Sequence, residues 1–512
     1  MARGRFPAPA VSRRAVLAGA VGAAVAMPLA ACAGGGGGGG ERLRVAIAGR
    51  GSKEKLDPHV APQFVDQIRS RACFDTLVGF SPQMTPVPRL AQSWDVDATG
   101  TRWRIRLRPA RWHDGRPLTA ADVLYSFRRI ADPDTTATAA QLYAGVDFTA
   151  SRTVSDTELE VRLGAPNFLF PLSWGATGTE IVPQGATDFR APVGTGPFRY
   201  VSFTPGGPAL YRSFDGYWDG APPSPELEIV PIAEESARLG ALLSGQVACA
   251  HGMEAAGVRQ VEGDPRVQVL AAPEAIHQYL CLKVDRPPFA DPRLRDAVRL
   301  GIDRDALVRV ALLGKGRVGN DLRGRGTQYY AFGIAQVGRD VARARALVDA
   351  AGARGREVDL LVSTLDPVFV PAARLVAEQL AEVGLRITPR SVPPSDYYGE
   401  VARTGAAAST SGGPLPVPDY VGRKLVTTGT GNFTGWKDPE VDRLYAQAVA
   451  TTDEAARTRA FDAVQQRFHD SSGNVVWGVG DYAVGIAAGL QGVPNAIPNT
   501  LEWGRFDKAV PG

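Results

Sequence analysis

WHDGRPLTAADV, residues Trp112–Val123, is the stretch of this 512-residue chain that says most about its fold. Asp114-Gly115 is a turn sequence, because Asp bonds its own backbone and Gly accepts a positive φ. Thr119 is a favoured helix N-cap, and Asp122 falls in the first turn that follows. Apolar residues then recur at helical spacing, so we expect a turn that leads directly into a helix over Thr119–Ile130.

Elsewhere in the chain, strand-like and helix-like segments follow one another. Alternating apolar and polar residues predict strands, and apolar residues three and four apart predict helices. The predicted strands are Glu41–Ala48, Arg102–Arg108, Glu158–Leu163, Val358–Val362 and Leu385–Pro389, and the predicted helices are Asp340–Gly352, Val370–Val383, Glu440–Ala450 and Asp453–Phe468. This order indicates α/β lobes, and the chain is long enough for two or three of them.

A pair of helices is predicted over Asp291–Gly314. Asp291 and Asp303 are N-cap residues, and Pro292 suits the first helical position because it lacks an N–H that would otherwise be unpaired. We expect the second helix to stop at Gly314 and to bury Ala306, Leu307, Val310 and Leu313.

Signatures of catalysis are absent from the sequence. It contains no GxxxxGK[ST] phosphate loop, no HExxH zinc pair and no GxSxG nucleophile elbow. The five histidines stand apart in the chain, so no metal pair is indicated. Gly194-Thr195-Gly196 lacks the third glycine of a dinucleotide loop, and we interpret it as a tight turn whose glycines permit a positive φ. We expect a protein that is not an enzyme, with no metal and no cofactor.

Charge excludes another class of partner. The chain has 57 Lys and Arg against 53 Asp and Glu, and the two signs are interspersed without a basic block. A nucleic-acid-binding surface needs clustered positive charge. We therefore expect no nucleic-acid partner.

The N-terminal 40 residues differ from the rest. Arginines precede an apolar run from Ala15 to Ala31, which is typical of a secretory signal, and residues 1–31 are predicted to be a signal peptide. Leu29-Ala30-Ala31-Cys32 resembles the bacterial lipobox, in which the Cys is acylated. Ser12-Arg13-Arg14-Ala15-Val16-Leu17 resembles a twin-arginine motif, which leaves the general and the twin-arginine export routes both open. Residues 32–40 are predicted to be the lipidated Cys and a flexible glycine tether.

Three cysteines follow the tether: Cys73, Cys249 and Cys281. They allow at most one disulfide and contain no CxxC pair. Export permits a Cys249–Cys281 bridge, and three buried free thiols are equally compatible with the sequence.

A series of segments in fixed order resembles one protein family. They are Lys55–Pro58, Pro88–Trp94, Trp112–Val123, Gly194–Phe198, Tyr217-Trp218, Leu242–Val247, Pro288–Ala297, Gly301–Arg304, Ala344–Gly352 and Gly435–Asp442. In this order they resemble the family 5 extracellular solute-binding proteins, which are the peptide- and nickel-binding components of ABC importers. The resemblance runs from about Leu43 to Asn495.

The resemblance implies a type II periplasmic-binding-protein-like fold, with two α/β lobes, a hinge and an additional inserted domain of the cluster C kind. We expect lobe I to comprise residues 41–75, 190–272 and 478–512, the inserted domain residues 76–189, and lobe II residues 273–477. The implied partners are ABC permease and ATPase subunits. We expect a monomer at the extracytoplasmic face of the cell membrane, or in the periplasmic space or its equivalent, held there by the lipid on Cys32.

The resemblance also implies a ligand between the lobes. In peptide-binding relatives an Asp shortly before the Gly-Trp segment accepts the α-ammonium of the peptide, and Asp419 is the matching residue, although Tyr420 replaces the proline expected after it. Asp419 could equally stabilise a Pro-rich turn. Arg423, Trp436 and Tyr397 are further ligand candidates. We expect a peptide ligand, and the alternative ligands are a sugar, an opine-like compound or a chelated metal. The alternative role is that of a sensor or scaffold lipoprotein without transport.

Overall fold

The computed structural model describes residues 42–49, 51–60 and 63–511. The predicted signal peptide, Cys32 and the glycine tether lie outside the described residues. Among the described residues, no helix combines the length and the apolar character needed to cross a bilayer.

The first half of the chain contains most of the residues predicted for lobe I and all of those predicted for the inserted domain. Its strands are β1 (Leu43–Ile47), β2 (Val78–Phe80), β3 (Pro86–Pro88), β4 (Ala91–Val96), β5 (Arg102–Leu107), β6 (Val146–Ser155), β7 (Glu158–Leu163), β8 (Phe198–Phe203), β9 (Ala209–Ser213), β10 (Glu226–Pro231) and β11 (Cys249–Met253). Its helices are α1 (Phe64–Cys73), α2 (Ala120–Ala131), α3 (Ala140–Tyr143), α4 (Glu235–Leu243) and α5 (Ala255–Gln260).

The second half contains the residues predicted for lobe II and the final segment predicted for lobe I. Its strands are β12 (Val267–Leu282), β13 (Gly316–Val318), β14 (Glu357–Val362), β15 (Arg386–Ser391), β16 (Ala407–Gly412) and β17 (Asn474–Ala487). Its helices are α6 (Pro292–Gly301), α7 (Arg304–Ala311), α8 (Val341–Ala350), α9 (Phe369–Glu382), α10 (Tyr397–Arg403), α11 (Val417–Tyr420), α12 (Pro439–Ala450) and α13 (Glu454–Ser471). The α/β class expected from the sequence is confirmed.

One sheet runs through both lobes, in the order β15-β14-β16-β12-β17-β11-β1-β10-β9-β8. The long strands β12 and β17 pair antiparallel and belong to both lobes, and their register is irregular between Ala272 and Ile276. Glu274, inside that irregularity, has a φ of 53°. A bulge bends a strand pair locally, and this one lies at the boundary predicted between lobe I and lobe II. The domain boundaries given above stay a prediction.

The Trp112–Val123 segment folds as its sequence predicts. Asp122 Oδ2 accepts hydrogen bonds from Thr119 N and Thr119 Oγ1, both at 2.8 Å, and so closes the N-terminus of α2. The same carboxylate accepts from Trp112 Nε1 at 3.3 Å and from Gln184 N at 2.8 Å. Gly115 adopts a φ of 90° in the preceding turn.

The interpretation of Gly194-Thr195-Gly196 as a positive-φ turn is wrong. Neither Gly194 nor Gly196 is among the residues with positive φ. A Cβ on Gly194 would lie 1.7 Å from the carbonyl oxygen of Cys73, and a Cβ on Gly196 would lie 2.6 Å from its carbonyl carbon. These glycines are needed because the backbone at the end of α1 passes directly against them.

The helix pair is confirmed, but the prediction of which face of the second helix is buried is wrong. Asp291 accepts from Arg293 N and Asp303 from Ala306 N, so both cap as predicted. Helix α7 ends at Ala311, before Gly314, and buries Leu307 and Val308, while Val310 is 51% exposed. The neighbouring α9 and β17 decide which face of this short helix is covered.

The three described cysteines, Cys73, Cys249 and Cys281, are free and buried. Burial raises the pKa of the Cys281 thiol to about 12. A thiol with so high a pKa is a poor nucleophile. The Cys249–Cys281 bridge left open by the sequence is not formed.

Candidate functional site

The segment that follows β16 carries the first candidate group. Pro416 and Pro418 prevent the chain from continuing as a strand and suit the start of a helix. The chain therefore turns into the short helix α11, and a π-helical turn over Val421–Leu425 continues it. This places Asp419 and Arg423 one turn apart on the same face.

Asp419 is buried and only partly satisfied. Its residue exposure is 4%, and its Oδ2 accepts a hydrogen bond from Arg423 Nη2. Within the described part of the chain, Asp419 Oδ1 and Arg423 Nε have no hydrogen-bond partner. A buried carboxylate oxygen without a partner costs about 1–3 kcal/mol, so the position carries a penalty that packing alone does not explain.

Asp419 lies on the wall of a cavity of about 460 Å³. Pro418, Asp419 and Tyr445 come from the segment predicted for lobe II, and Gln141, Asn167 and Phe170 come from the segment predicted for the inserted domain. Mostly apolar walls with a few polar groups, in this range of volume, are typical of sites for small molecules.

A second candidate group lies in the loop that follows β13. Arg323 is half-buried, and its Cζ lies 5.0 Å from the ring centroid of Tyr279 and 5.1 Å from that of Tyr420. Its Nη2 donates to Gly413 O at 3.1 Å and its Nη1 to Tyr279 Oη at 3.3 Å. We call Arg323, Tyr279 and Tyr420 the arginine nest.

A lysine links the two groups electrostatically. Lys424 is half-buried, and its Nζ lies 5.6 Å from the ring centroid of Phe433. Burial lowers the pKa of Lys424 to about 8, with Arg423 and Arg323 acting in the same direction and Asp419 in the opposite one. Lys424 therefore lies within the electrostatic reach of both Asp419 and the arginine nest.

Acidic residues face each other where the lobes meet. Glu254 follows β11 of lobe I, and Asp366 precedes α9 of lobe II, where it accepts from Gln278 Nε2 at 3.1 Å. Burial raises the pKa of Glu254 to about 8, and the nearby charges of Asp366 and Glu235 add to the rise. Burial likewise raises the pKa of Asp366. These carboxyl groups favour the protonated form in this arrangement.

Direct contacts join the lobes on either side of the site. Asn499 Nδ2 of lobe I donates to Pro414 O of lobe II at 2.9 Å. Lys53 Nζ donates to Ser395 O at 3.0 Å and lies 3.5 Å from Asp396 Oδ1. Segments predicted for lobe I and for lobe II therefore touch in this structure.

Of the four ligand candidates from the sequence, the structure brings together Asp419 and Arg423. Tyr397 is fully buried, and its hydroxyl oxygen lies 2.9 Å from Leu361 O and 2.5 Å from Ser409 O, so its single O–H donates to one of these two carbonyls. Trp436 packs edge-on against Phe468 and donates to Ser471 Oγ at 3.2 Å. Both aromatic side chains are engaged within the protein, and their contact with a ligand stays a prediction.

Sequence reasoning missed Arg323, Tyr279, Glu254 and Asp366. Each comes from a different part of the chain, and none stands in a motif. The one signal in the sequence is the Gly-rich stretch around Arg323, which lacks predicted secondary structure.

The described residues hold no group of three or more His, Cys, Asp or Glu side chains placed to bind a metal ion. The imidazole of His277 is not free to bind a metal ion through Nε2, because that atom accepts a hydrogen bond from Gly324 N at 3.1 Å. Burial lowers the pKa of His277 to about 3, so this ring is neutral. It anchors the loop that carries Arg323.

Known proteins resemble this chain over most of its length. The profile of bacterial extracellular solute-binding proteins, family 5 Middle, matches residues 85–432. The glutathione-binding protein GsiB of Pectobacterium atrosepticum is 25% identical over 478 residues, which cover 88% of this chain and 90% of that protein.

Solved structures share the fold. The PBP AgaA from A. tumefacien R10, in complex with agropinic acid, has a TM-score of 0.82 at 23% identity and covers 92% of this chain and 99% of its own. DppA from Helicobacter pylori, in complex with peptide STSA, has a TM-score of 0.82 at 20% identity and covers 92% and 98%. The fold is that of the type II periplasmic binding proteins, as the sequence predicted.

The family consists of binding proteins that work outside the cytoplasm and deliver small solutes to ABC permeases. Its profile covers more than half of the chain. This protein therefore belongs to the bacterial extracellular solute-binding proteins of family 5.

Proposed function

We propose that this protein captures small peptides, from di- to oligopeptides, between its lobes and delivers them to an ABC permease. The observation that carries the proposal is Asp419, a buried carboxylate whose Oδ1 has no hydrogen-bond partner and which lines a cavity of about 460 Å³. A peptide α-ammonium supplies the donor that this oxygen lacks.

The chemistry of Asp419 favours an ammonium over other cations. Arg423 neutralises part of its charge and occupies one oxygen, which leaves a single acceptor. Divalent cations need several oxygen ligands at once, whereas an ammonium needs only well-placed single acceptors. A charge-assisted hydrogen bond of this kind contributes about 1.5–3 kcal/mol.

A ligand screen tests the proposal. Native mass spectrometry of the purified protein should reveal a co-purified peptide, and di- to pentapeptides, with glutathione among them, should raise the melting temperature. A ligand at a hundred times its Kd adds about 2.7 kcal/mol of stability. If the peptides give no shift and a sugar, an opine-like compound or a metal chelate does, the peptide assignment is wrong. If no solute class binds, the protein acts as a sensor or scaffold instead.

The lipid anchor is part of the same proposal. The charged start, the apolar run and the lipobox-like residues around Cys32 support acylation at that Cys. Two or more acyl chains hold a protein stably at a membrane, whereas one is marginal. Cys32→Ser should release the protein from the membrane fraction and abolish labelling by a fatty-acid probe. Membrane retention of the variant with intact labelling would exclude Cys32 as the anchor.

A further inference from the structure

Apolar side chains make up much of the wall of the cavity that Asp419 lines. Leucines and valines come from two distant parts of the chain: Leu142, Leu163, Leu169, Val426 and Val449. The three leucines are half-buried, whereas Phe170 on the same wall is 2% exposed. Apolar surface left in contact with water is unfavourable, and a ligand that covers it binds more tightly for that reason.

The charged side chains of this wall are both acidic. Among the described residues that line the cavity, Asp419 and Asp442 carry a charge, and neither a lysine nor an arginine is present. Arg423 pairs with Asp419 but does not line the cavity. A carboxylate placed here would lose its hydration without meeting a positive partner and would be repelled by both acids. The cavity therefore fits a cationic group and disfavours an anionic one.

Hydrogen bonds hold the two sides of the cavity together. Phe168 N donates to Val449 O at 2.7 Å, and Gln141 Nε2 donates to Thr428 Oγ1 at 3.4 Å. Between the sides lies a volume of about 460 Å³. An ammonium group needs about the volume of one water molecule, about 30 Å³. The remaining space is large enough for a whole side chain attached close to that ammonium.

We propose that this cavity selects peptides whose first residue has a large apolar side chain. The inference rests on the proposed function, in which Asp419 binds the α-ammonium of the peptide. The first Cα carries both that nitrogen and the first side chain, so binding at Asp419 brings this side chain, before any other, to the same cavity. Leucines and valines then cover it. An acidic first side chain would instead bring a carboxylate to a wall whose charges are negative.

Titration calorimetry with three tripeptides, Leu-Ala-Ala, Ala-Ala-Leu and Asp-Ala-Ala, tests the inference. The wild-type protein should bind Leu-Ala-Ala about 10-fold more tightly than Ala-Ala-Leu, which has the same composition, because the leucine is buried only from the first position. It should bind Leu-Ala-Ala about 30-fold more tightly than Asp-Ala-Ala, since the repulsion of the carboxylate adds to the lost apolar contact.

Variants of one wall residue locate the preference. Leu142→Gln should weaken the binding of Leu-Ala-Ala about 10-fold and leave that of Asp-Ala-Ala unchanged, because it removes apolar surface alone. Leu142→Met keeps the apolar surface and should retain the wild-type preference. The matched control is Leu365→Gln, at a leucine that is 39% exposed and does not line the cavity. It should behave as the wild type. Denaturant unfolding shows whether each variant is folded, and the wild-type ratios test the inference without any variant.

The results separate this inference from the proposed function. Equal affinity of the wild type for the three peptides would overturn the selection of apolar first residues while leaving peptide binding intact. If no peptide binds, the proposed function fails, and isopentylamine and isocaproate, an apolar cation and an apolar anion of similar shape, are titrated instead. Binding of the amine that is lost in Leu142→Gln supports a cavity for apolar cations. Binding of the acid as tight as that of the amine, or binding of neither, overturns it.

Discussion

Two buried carboxylates, Asp122 in the inserted domain and Asp419 in lobe II, have nearly equal exposures of 5% and 4% and opposite surroundings. Asp122 accepts hydrogen bonds from Thr119, Trp112 and Gln184, and both of its oxygens are occupied. Asp419 accepts from Arg423 at one oxygen, its other oxygen is buried without a hydrogen-bond partner, and the residue lines a cavity.

The difference indicates that Asp122 has a structural role and that Asp419 has a role in binding. A buried acid whose oxygens are all occupied stabilises the fold, because each bond replaces one lost to water. A buried acid with an open oxygen costs stability until a ligand donates to it. The family-like motif around Asp122 therefore identifies the scaffold, and the less distinctive sequence around Asp419 carries the binding chemistry.

The largest expected effect is a loss of stability on replacing Asp122, whose two carboxylate oxygens are both occupied. Asp122→Ala leaves donors of Thr119, Trp112 and Gln184 without an acceptor and should lower the free energy of unfolding by about 3 kcal/mol. Denaturant unfolding measures the change. Asp114→Ala, in the exposed turn of the same motif, is the control and should cost less than about 1 kcal/mol. Equal losses in both variants would contradict the claim that the occupied oxygens of Asp122 stabilise the fold.

Replacing Asp419 should reduce ligand affinity rather than stability. Asp419→Asn keeps the shape of the side chain but loses the charge, and peptide affinity should fall about 100-fold, or about 2.7 kcal/mol. Calorimetry measures the loss. Asp442→Asn is the matched control: Asp442 reaches the same cavity, but Thr427 occupies both of its oxygens. Unchanged affinity in Asp419→Asn, or an equal loss in Asp442→Asn, would exclude Asp419 from the site.

The smallest expected effect concerns Glu254, whose pKa burial and the charge of Asp366 raise to about 8. The folded protein keeps this proton between the unfolded pKa, near 4.5, and about 8, so its stability should fall as the pH rises through that window. Glu254→Gln should flatten the fall, measured as urea midpoints at pH 5.5 and pH 8. Glu262→Gln, exposed near the same helix, should leave the pH dependence as in the wild type. Identical slopes in all three proteins would contradict the assignment.

Local rules made the scaffold predictable from the sequence. The cap at Thr119, the strand Glu158–Leu163 and the caps at Asp291 and Asp303 depend on residues a few positions apart, and the structure has them as expected. The family resemblance extended those local features to the whole fold.

Errors arose where a distant part of the chain decides. The glycines at 194 and 196 are required by Cys73, which lies more than a hundred residues away, and the exposed face of α7 is set by elements that pack later in the chain. Asp419 was found through the resemblance. Arg323 was missed because its nest is assembled from β12, β16 and α11, which no local pattern connects.

The most direct test of the account is a crystal structure of the protein with a bound peptide. The peptide nitrogen should lie within about 2.7–3.2 Å of Asp419 Oδ1, which would fill the one open position of that carboxylate. A bound peptide whose ammonium lies elsewhere, with Asp419 Oδ1 still unpartnered, would contradict the claim that this open oxygen marks the binding site.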